Sequence, residues 1–261
     1  MNEDLKLIYI WLCANRLSLN VDKTEFIVFR PPRIKMTGRF TLKLNRTTLF
    51  ESTKIKYLGI ILDNSLSWKH HIFELRKKLS RAVGILYKMR SLNTPKNVLL
   101  SLYYSLFHSH MSYGICLYGS ADDQYLSKIV LIQKRAIRLI SKAPFNAHTT
   151  PLFKNLGILN FSNTLKLQLS MLMWQYDHGE LPVCFNDYFK KVNSIHTYNT
   201  RSSSSNKLSV DFLASTDKYG KNMLQFIGPR VFNEIITLDF YKRCNSKIGF
   251  KSCMKKHLLS D

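Results

Sequence analysis

Apolar positions change their period once along the chain, near residue 66. Before that point they fall mostly in short extended runs. At the very start, Leu5, Ile8, Leu12 and, less regularly, Trp11 recur at helical spacing behind Glu3 and Asp4, which predicts an amphipathic helix over 3–16. Three strand-like runs follow. "KTEFIVF" (23–29) is rich in β-branched and aromatic residues and ends at the Pro31-Pro32 pair. "RFTLKLNRTTLF" (39–50) alternates, with Phe40, Leu42 and Leu44 on one face, and "STKIKYLGIILD" (52–63) is apolar with Gly59 inside it. Residues 1–63 therefore read as a small α+β unit with an antiparallel meander, and a glycine inside a strand marks a bulge or a close backbone approach.

From Ser67 the apolar residues step by three and four. Ile72, Leu75, Leu79, Ala82, Leu86 and Met89 form one stripe of a long helix with Ser67 at its N-cap. "PKNVLLSLYYSLFHSHMSYGICLYG" from Pro95 is apolar almost throughout and reads as a single buried helix, and "DQYLSKIVLIQKRAIRLISK" is amphipathic again. Further helices are expected at 161–178 and 182–192. The polar, serine-rich 193–210 reads as a linker or long exposed loop, and 211–261 as a short basic mixed unit.

Charge is the property that changes this picture most. Thirty-nine Lys and Arg against seventeen Asp and Glu give a net charge of +22, which asks for a polyanionic partner. The cations are not scattered. On a wheel of ~100° per residue, Lys77, Arg81 and Lys88, with His70, lie opposite the stripe of the first long helix. Lys128, Arg135, Arg138 and Lys142, with Lys134 on the shoulder, lie opposite Leu126, Ile129, Ala136, Ile137 and Ile140 of the amphipathic helix at 123–142. Two cationic strips can track a phosphate backbone, whereas a single one is an ordinary solvated face. Tyr87, Tyr103, Tyr104 and Tyr113 are better read as core than as base-stacking rings.

Other chemistries find little support. No run approaches the ~20 apolar residues of a membrane span, so no membrane partner is expected. The acidic start with charge inside its apolar run does not read as a signal peptide. Five widely spread cysteines argue for a reducing, intracellular setting, nucleus or cytoplasm, and against a disulfide framework. Cys244, Cys253 and His257 lack a fourth ligand, and His70-His71 and His108-x-His110 lack a third, so no metal site is assigned. Nucleophile-elbow, phosphate-loop, zinc-protease and dinucleotide patterns are missing. "YGSADDQYL" (118–126) carries paired aspartates of the kind that hold metal ions in polymerases, but Asp122 and Asp123 open a basic helix and fit capping better.

"WLCANRLSLNVDKTEFIVF" (11–29), followed by "KIKYLGIILDNSLSWKHHI" (54–72), resembles the later part of the reverse transcriptase of non-LTR (LINE-type, jockey-like) retrotransposons. The resemblance continues through "GILYKMR", "LYYSLFHSHMSYGICLYG" and "LIQKRAIRLI" to "HTYNTRS" and "YGKNMLQFIGPRVFNEI". Phe232 stands where the family tail usually has tryptophan. The resemblance implies an α+β chain in four parts: the end of a palm (1–66), a helical thumb (67–192), a polar linker (193–210) and a basic C-terminal segment (211–261). It implies that Lys23 lies near the leaving phosphates, with Asn20 and Thr24 shaping its turn, and that Tyr57, Leu58 and Gly59 form a primer grip. The partner implied is RNA/DNA template-primer, held by the thumb. The family's metal-binding aspartates, which would use Mg2+, precede the part matched, so this chain is expected to bind no cofactor and not to polymerise alone. The rival readings are a basic helical module for a protein or chromatin partner, or a remnant without selected function.

Overall fold

The computed structural model describes residues 1–20, 23–31, 41–44, 47–192, 207–210 and 223–260. Phe40, "HTYNTRS" and most of the expected linker lie outside these. Helices dominate and the strands are short, so the fold is α+β. The chain divides into two compact units, 1–74 and 75–261.

The first unit opens with α1 (Asn2–Ala14). Its Asn2 side chain donates to Thr41 O at 3.2 Å and accepts from Lys43 N–H at 3.1 Å, tying the helix start to β2 (Lys43–Leu44). Among the described residues six two- to four-residue strands follow one another, and they pair in twos rather than as one meander. β2 and β3 (Thr47–Thr48) are antiparallel, whereas β1 (Glu25–Phe26) runs parallel to β4 (Phe50–Glu51). β5 (Lys54–Tyr57) and β6 (Ile60–Asp63) form an antiparallel hairpin closed by Leu58 and Gly59 alone. Gly59 is therefore not inside a strand. Both turn residues have positive φ, 45° and 84°, because only that hand of turn matches the strand twist. In this register Ile61 N–H points away from β5, and the Nδ1 of buried His71 receives it at 3.4 Å.

The hairpin leads straight into α2 (Lys69–Ser91), through the turn that Asp63 organises. Leu66 and Trp68 both sit at positive φ, 49° and 61°, a conformation that costs a side-chain-bearing residue about 1 kcal/mol or more. The Asp63 carboxylate offsets this. It accepts from the N–H and hydroxyl of Ser65, from the N–H and hydroxyl of Ser67, and from Trp68 N–H, at 2.7–3.2 Å. Ser67, expected at the N-cap, lies one position before it, since α2 begins at Lys69; its hydroxyl accepts from Lys69 N–H at 3.4 Å, and Asp63 holds the rest of the turn. Burial pushes the Asp63 carboxyl up, but the four hydrogen bonds from Ser65 and Ser67 together leave its pKa below the ordinary aspartate value.

Of the expected α2 stripe, Ile72 in the first unit and Leu75, Leu79, Ala82 and Leu86 in the second are buried, with Leu79 fully covered, while Met89 at the far end is half-buried. The segment after Pro95 is not one helix. α3 (Lys96–Leu102) widens into a π-helical turn over Tyr103–His108, continues as α4 (Ser109–Ser112), and stops where Tyr113 is extended and Gly114 takes φ 66°. α5 (Ile115–Tyr118) then restarts the chain, and the buried Tyr118 hydroxyl donates back to Met111 O across the break. α6 (Asp123–Ile140) and α7 (Thr149–Leu156) lead to α8 (Phe161–Asp177), the buried helix of the unit. The helix expected at 182–192 is only a single turn, Val183–Phe185, because Pro182 precedes it and Asn186-Asp187 follow.

α9 (Leu224–Ile235) and α10 (Lys247–Ser260) pack on α8 around Trp174, Phe232, Phe250 and Met254. "GPRVFN" is legible here residue by residue. A Cβ at Gly228 would stand 2.9 Å from Met173 Sδ and from the Phe189 ring, so nothing larger fits without displacement. Phe232, in place of the family's tryptophan, is buried and meets Tyr241 edge to face. Asn233 accepts from Leu208 N–H and donates to Leu208 O, both at 2.9 Å, while Leu208 bridges Lys191 on its other side.

Asp63→Ala should lower the unfolding free energy by about 2–3 kcal/mol at neutral pH, since it strands several donors at once. A carboxyl with a depressed folded pKa stabilises above its unfolded value, about 3.9, and loses that contribution as pH falls through the folded value. Guanidinium titrations from neutral pH to about pH 2 should show the two proteins converging in acid. A gap independent of pH would refute the carboxylate's role.

Candidate nucleic-acid interface

The sequence-predicted residues fall into two groups, one in each unit. In the first unit, Lys23 is exposed at the end of a turn shaped by Asn20, whose carbonyl and side-chain oxygen both accept from Lys23 N–H at 3.2 Å. The Thr24 hydroxyl donates to Asn20 O at 2.9 Å and locks the same turn. Tyr57, Leu58 and Gly59 are the tip of the β5–β6 hairpin, with Tyr57 62% and Leu58 72% exposed. They present an exposed tip at positive φ on a two-strand base.

In the second unit, Lys77, Arg81 and Lys88 are all exposed, opposite the buried Leu75, Leu79, Ala82 and Leu86. The α6 strip is less uniform than the wheel indicates. Lys128 and Arg135 are exposed and Lys134 is half-buried. Arg138 is partly committed to the fold: its Nε donates to Ala147 O at 2.9 Å and its guanidinium lies 5.9 Å from the Phe145 ring centroid, pinning the loop before α7. Lys142 leaves the strip altogether. The helix ends at Ile140, and Lys142 lies beyond the cap at φ 53°, where helical geometry no longer sets its direction.

Asp122 is the N-cap of α6, its side chain accepting from Gln124 N–H at 3.3 Å, and Asp123 lies in the first turn, where it complements the helix dipole. Among the described residues no group of three or more His, Cys, Asp or Glu is arranged to hold a metal ion. Nor is any described helix long and apolar enough to cross a membrane. The tyrosines divide: Tyr103 is buried as expected of core, its hydroxyl accepting from Gln133 Nε2 at 3.0 Å, while Tyr87, Tyr104 and Tyr113 are exposed.

One grouping lay outside the two strips and had no trace in the sequence pattern: a histidine beside lysines of a distant helix. His108, at the end of the π-helical turn, is half-buried, and its pKa is held below the ordinary histidine value by that burial and by Lys255 and Lys251 of α10.

An α+β chain whose helices carry outward cations and whose strands end in an exposed hairpin is homologous to the RNA-directed DNA polymerases of non-LTR retrotransposons, over about 60% of its length at 24–28% identity. It is 26% identical over 171 residues to the RNA-directed DNA polymerase from mobile element jockey of Drosophila melanogaster, covering 64% of this chain and 18% of that protein. Its counterpart of the same name from Drosophila funebris is 28% identical over 153 residues, 57% of this chain and 16% of the relative. The probable RNA-directed DNA polymerase from transposon X-element of Drosophila melanogaster is 28% identical over 150 residues, again 57% of this chain and 16% of the relative. The chain thus spans less than a fifth of these relatives' length. No protein-family model and no solved structure matches it.

Asp122→Ala should destabilise the protein by about 1 kcal/mol, and Asp122→Asn hardly at all, because Asn caps as well as Asp. Chemical denaturation of the two variants checks this, and equal losses in both would argue for a role that needs the charge.

Proposed function

We propose that this chain is the part of a retrotransposon reverse transcriptase that holds the RNA/DNA template-primer, and that it does not itself polymerise. The observation that carries the reading is the outward row of cations on α2 and α6 in a chain whose homologues are named RNA-directed DNA polymerases. Lys77, Arg81, Lys88, Lys128, Lys134 and Arg135 neutralise backbone phosphates, with Arg138 contributing what its loop contacts leave and Lys142 acting from past the helix end. Such contacts release counterions, so affinity falls steeply with salt and sequence is not read.

The hairpin tip takes the second role. In this reading Tyr57, Leu58 and Gly59 lie against the primer end, where a rigid two-residue turn offers backbone and ring at fixed positions. Lys23 acts beside the leaving phosphates. Asp122 and Asp123 take no part in chemistry, since a helix cap leaves them no second carboxylate strand with which to clamp two metal ions. Residues 1–66, 67–192 and 211–261 then correspond to the end of the palm, the thumb and a C-terminal segment, with 193–210 as linker.

Binding of a labelled RNA–DNA duplex, followed by fluorescence anisotropy across salt concentrations, tests the reading. Reversing Lys77, Arg81 and Lys88 to Glu should weaken binding at least tenfold and flatten the plot of log K against log salt by about 0.9 for each phosphate contact removed. Unchanged duplex binding would favour the protein-partner module instead. Primer extension with Mg2+ or Mn2+ should give no product, and incorporation abolished by Asp122→Asn with Asp123→Asn would sink the non-catalytic assignment.

A further inference from the structure

α10 carries Lys247, Lys251 and Lys255 at successive i, i+4 positions, with Lys256 and His257 besides, and no acidic residue anywhere between Lys247 and Ser260. Its other side is committed to the core through Phe250, Met254 and Leu258, each at most 3% exposed. The helix end is held in place: Asn163 Nδ2 donates to Leu258 O at 2.8 Å and Lys154 Nζ to Ser260 O at 3.0 Å. The lysine row is thus fixed in orientation. Among the described residues none of Lys247, Lys251, Lys255 or Lys256 has an ion-pair partner.

An imidazole from another element is brought to this row. His108 lies within electrostatic reach of Lys255 and Lys251, although some 140 residues of chain separate them. Beside it, Tyr104 is 40% exposed, with its ring centroid 5.4 Å from the imidazole. The wide turn over Tyr103–His108 places the ring pair there, because Tyr103 and Phe107 one position earlier are both fully buried and stacked at 5.2 Å. Gathering like charges in a fixed array, without an acid to offset them, costs free energy unless a polyanion completes the surface.

We propose that Lys247, Lys251 and Lys255, with the Tyr104–His108 ring pair, form a second nucleic-acid contact that takes a single-stranded polynucleotide, its phosphates along the lysines and a base against the Tyr104 ring. The aromatic neighbour decides single strand over duplex. A duplex offers this surface only phosphates, so an exposed ring gains nothing, whereas an unpaired base stacks on it. The contact rests on the template-primer reading and adds to it a surface for the unpaired nucleic acid adjoining the duplex.

The test uses the full chain with two probes, a labelled single-stranded RNA and a blunt RNA–DNA duplex. Lys251→Glu with Lys255→Glu should lower single-strand affinity tenfold or more and flatten its salt slope by about 1.4, two contacts at ~0.7 each. Tyr104→Ala should cost about fivefold or more on the single strand. Neither should change duplex binding, and the milder Lys251→Gln with Lys255→Gln, with an unchanged melting curve, separates charge loss from misfolding. Single-strand affinity and slope that survive all these substitutions would overturn the inference. If Lys77/Arg81/Lys88 reversal still abolishes duplex binding, the template-primer reading then stands without it. An equal loss on the duplex would overturn the assignment to single strands.

Discussion

α8 has no polar face, and the helical unit is arranged by the need to cover it. Phe161, Leu167, Leu169, Met171, Met173 and Trp174 point to every side of the helix and all are buried. α5, α6, α9 and α10 each pack against it. The hydroxyls on α8 add no demand, because Thr164 and Ser170 donate back to Asn160 O and Lys166 O within the helix. Each covering helix therefore presents its apolar side inward, and its charge has only one direction left. The cationic rows of α6 and α10 are the complement of that packing. The outward charge of these helices and the buried centre are one arrangement seen from two sides.

The same logic explains which parts were legible in the sequence. A helix with one apolar stripe announces its phase, so α2 and α6 stand in the pattern, as does the Asp122 cap, while α8, expected at 161–178, was legible in its extent but not in its phase. The segment from Pro95 to Gly119 is apolar on all sides and has no phase to read; its widened turn and the break at Tyr113-Gly114 left no periodic signal. Leu58 in a left-handed turn breaks the usual turn chemistry, and so the hairpin passed for one strand with a glycine in it. The departures on α6 have another cause. Arg138's loop contacts and the end of the helix before Lys142 depend on what the chain does after residue 140, which a wheel does not contain. The meeting of His108 with α10 is purely tertiary. Several residues that carried the resemblance turn out to be architectural: Asp63 holds the turn into α2, His71 receives a strand N–H, and Gly228 and Asn233 shape the tail.

Two asparagines perform one task in separate units. Asn2 takes the carbonyl of Thr41 and the N–H of Lys43, and Asn233 takes both backbone groups of Leu208. A primary amide offers the donor and acceptor that a neighbouring strand would, so a helix can dock an extended segment edge-on without a sheet. That device suits a chain whose strands are mostly two residues long. Aspartate could not replace it, lacking the donor, and glutamine would set the amide one bond too far out.

Three tryptophans, Trp11, Trp68 and Trp174, divide unevenly between the units. Trp11 lies 60% exposed on α1 and Trp68 is half-buried at the strained entry to α2, whereas Trp174 is only 1% exposed and stacks between His178 and Phe250. The indole packed at the centre of the helical unit is therefore screened from solvent, and the other two are wetted. Of the three indoles, the one screened from solvent belongs to the helical unit alone, and the two with solvent contact to the strand-bearing one. Opening of the helical unit would therefore wet an indole that the folded chain keeps dry.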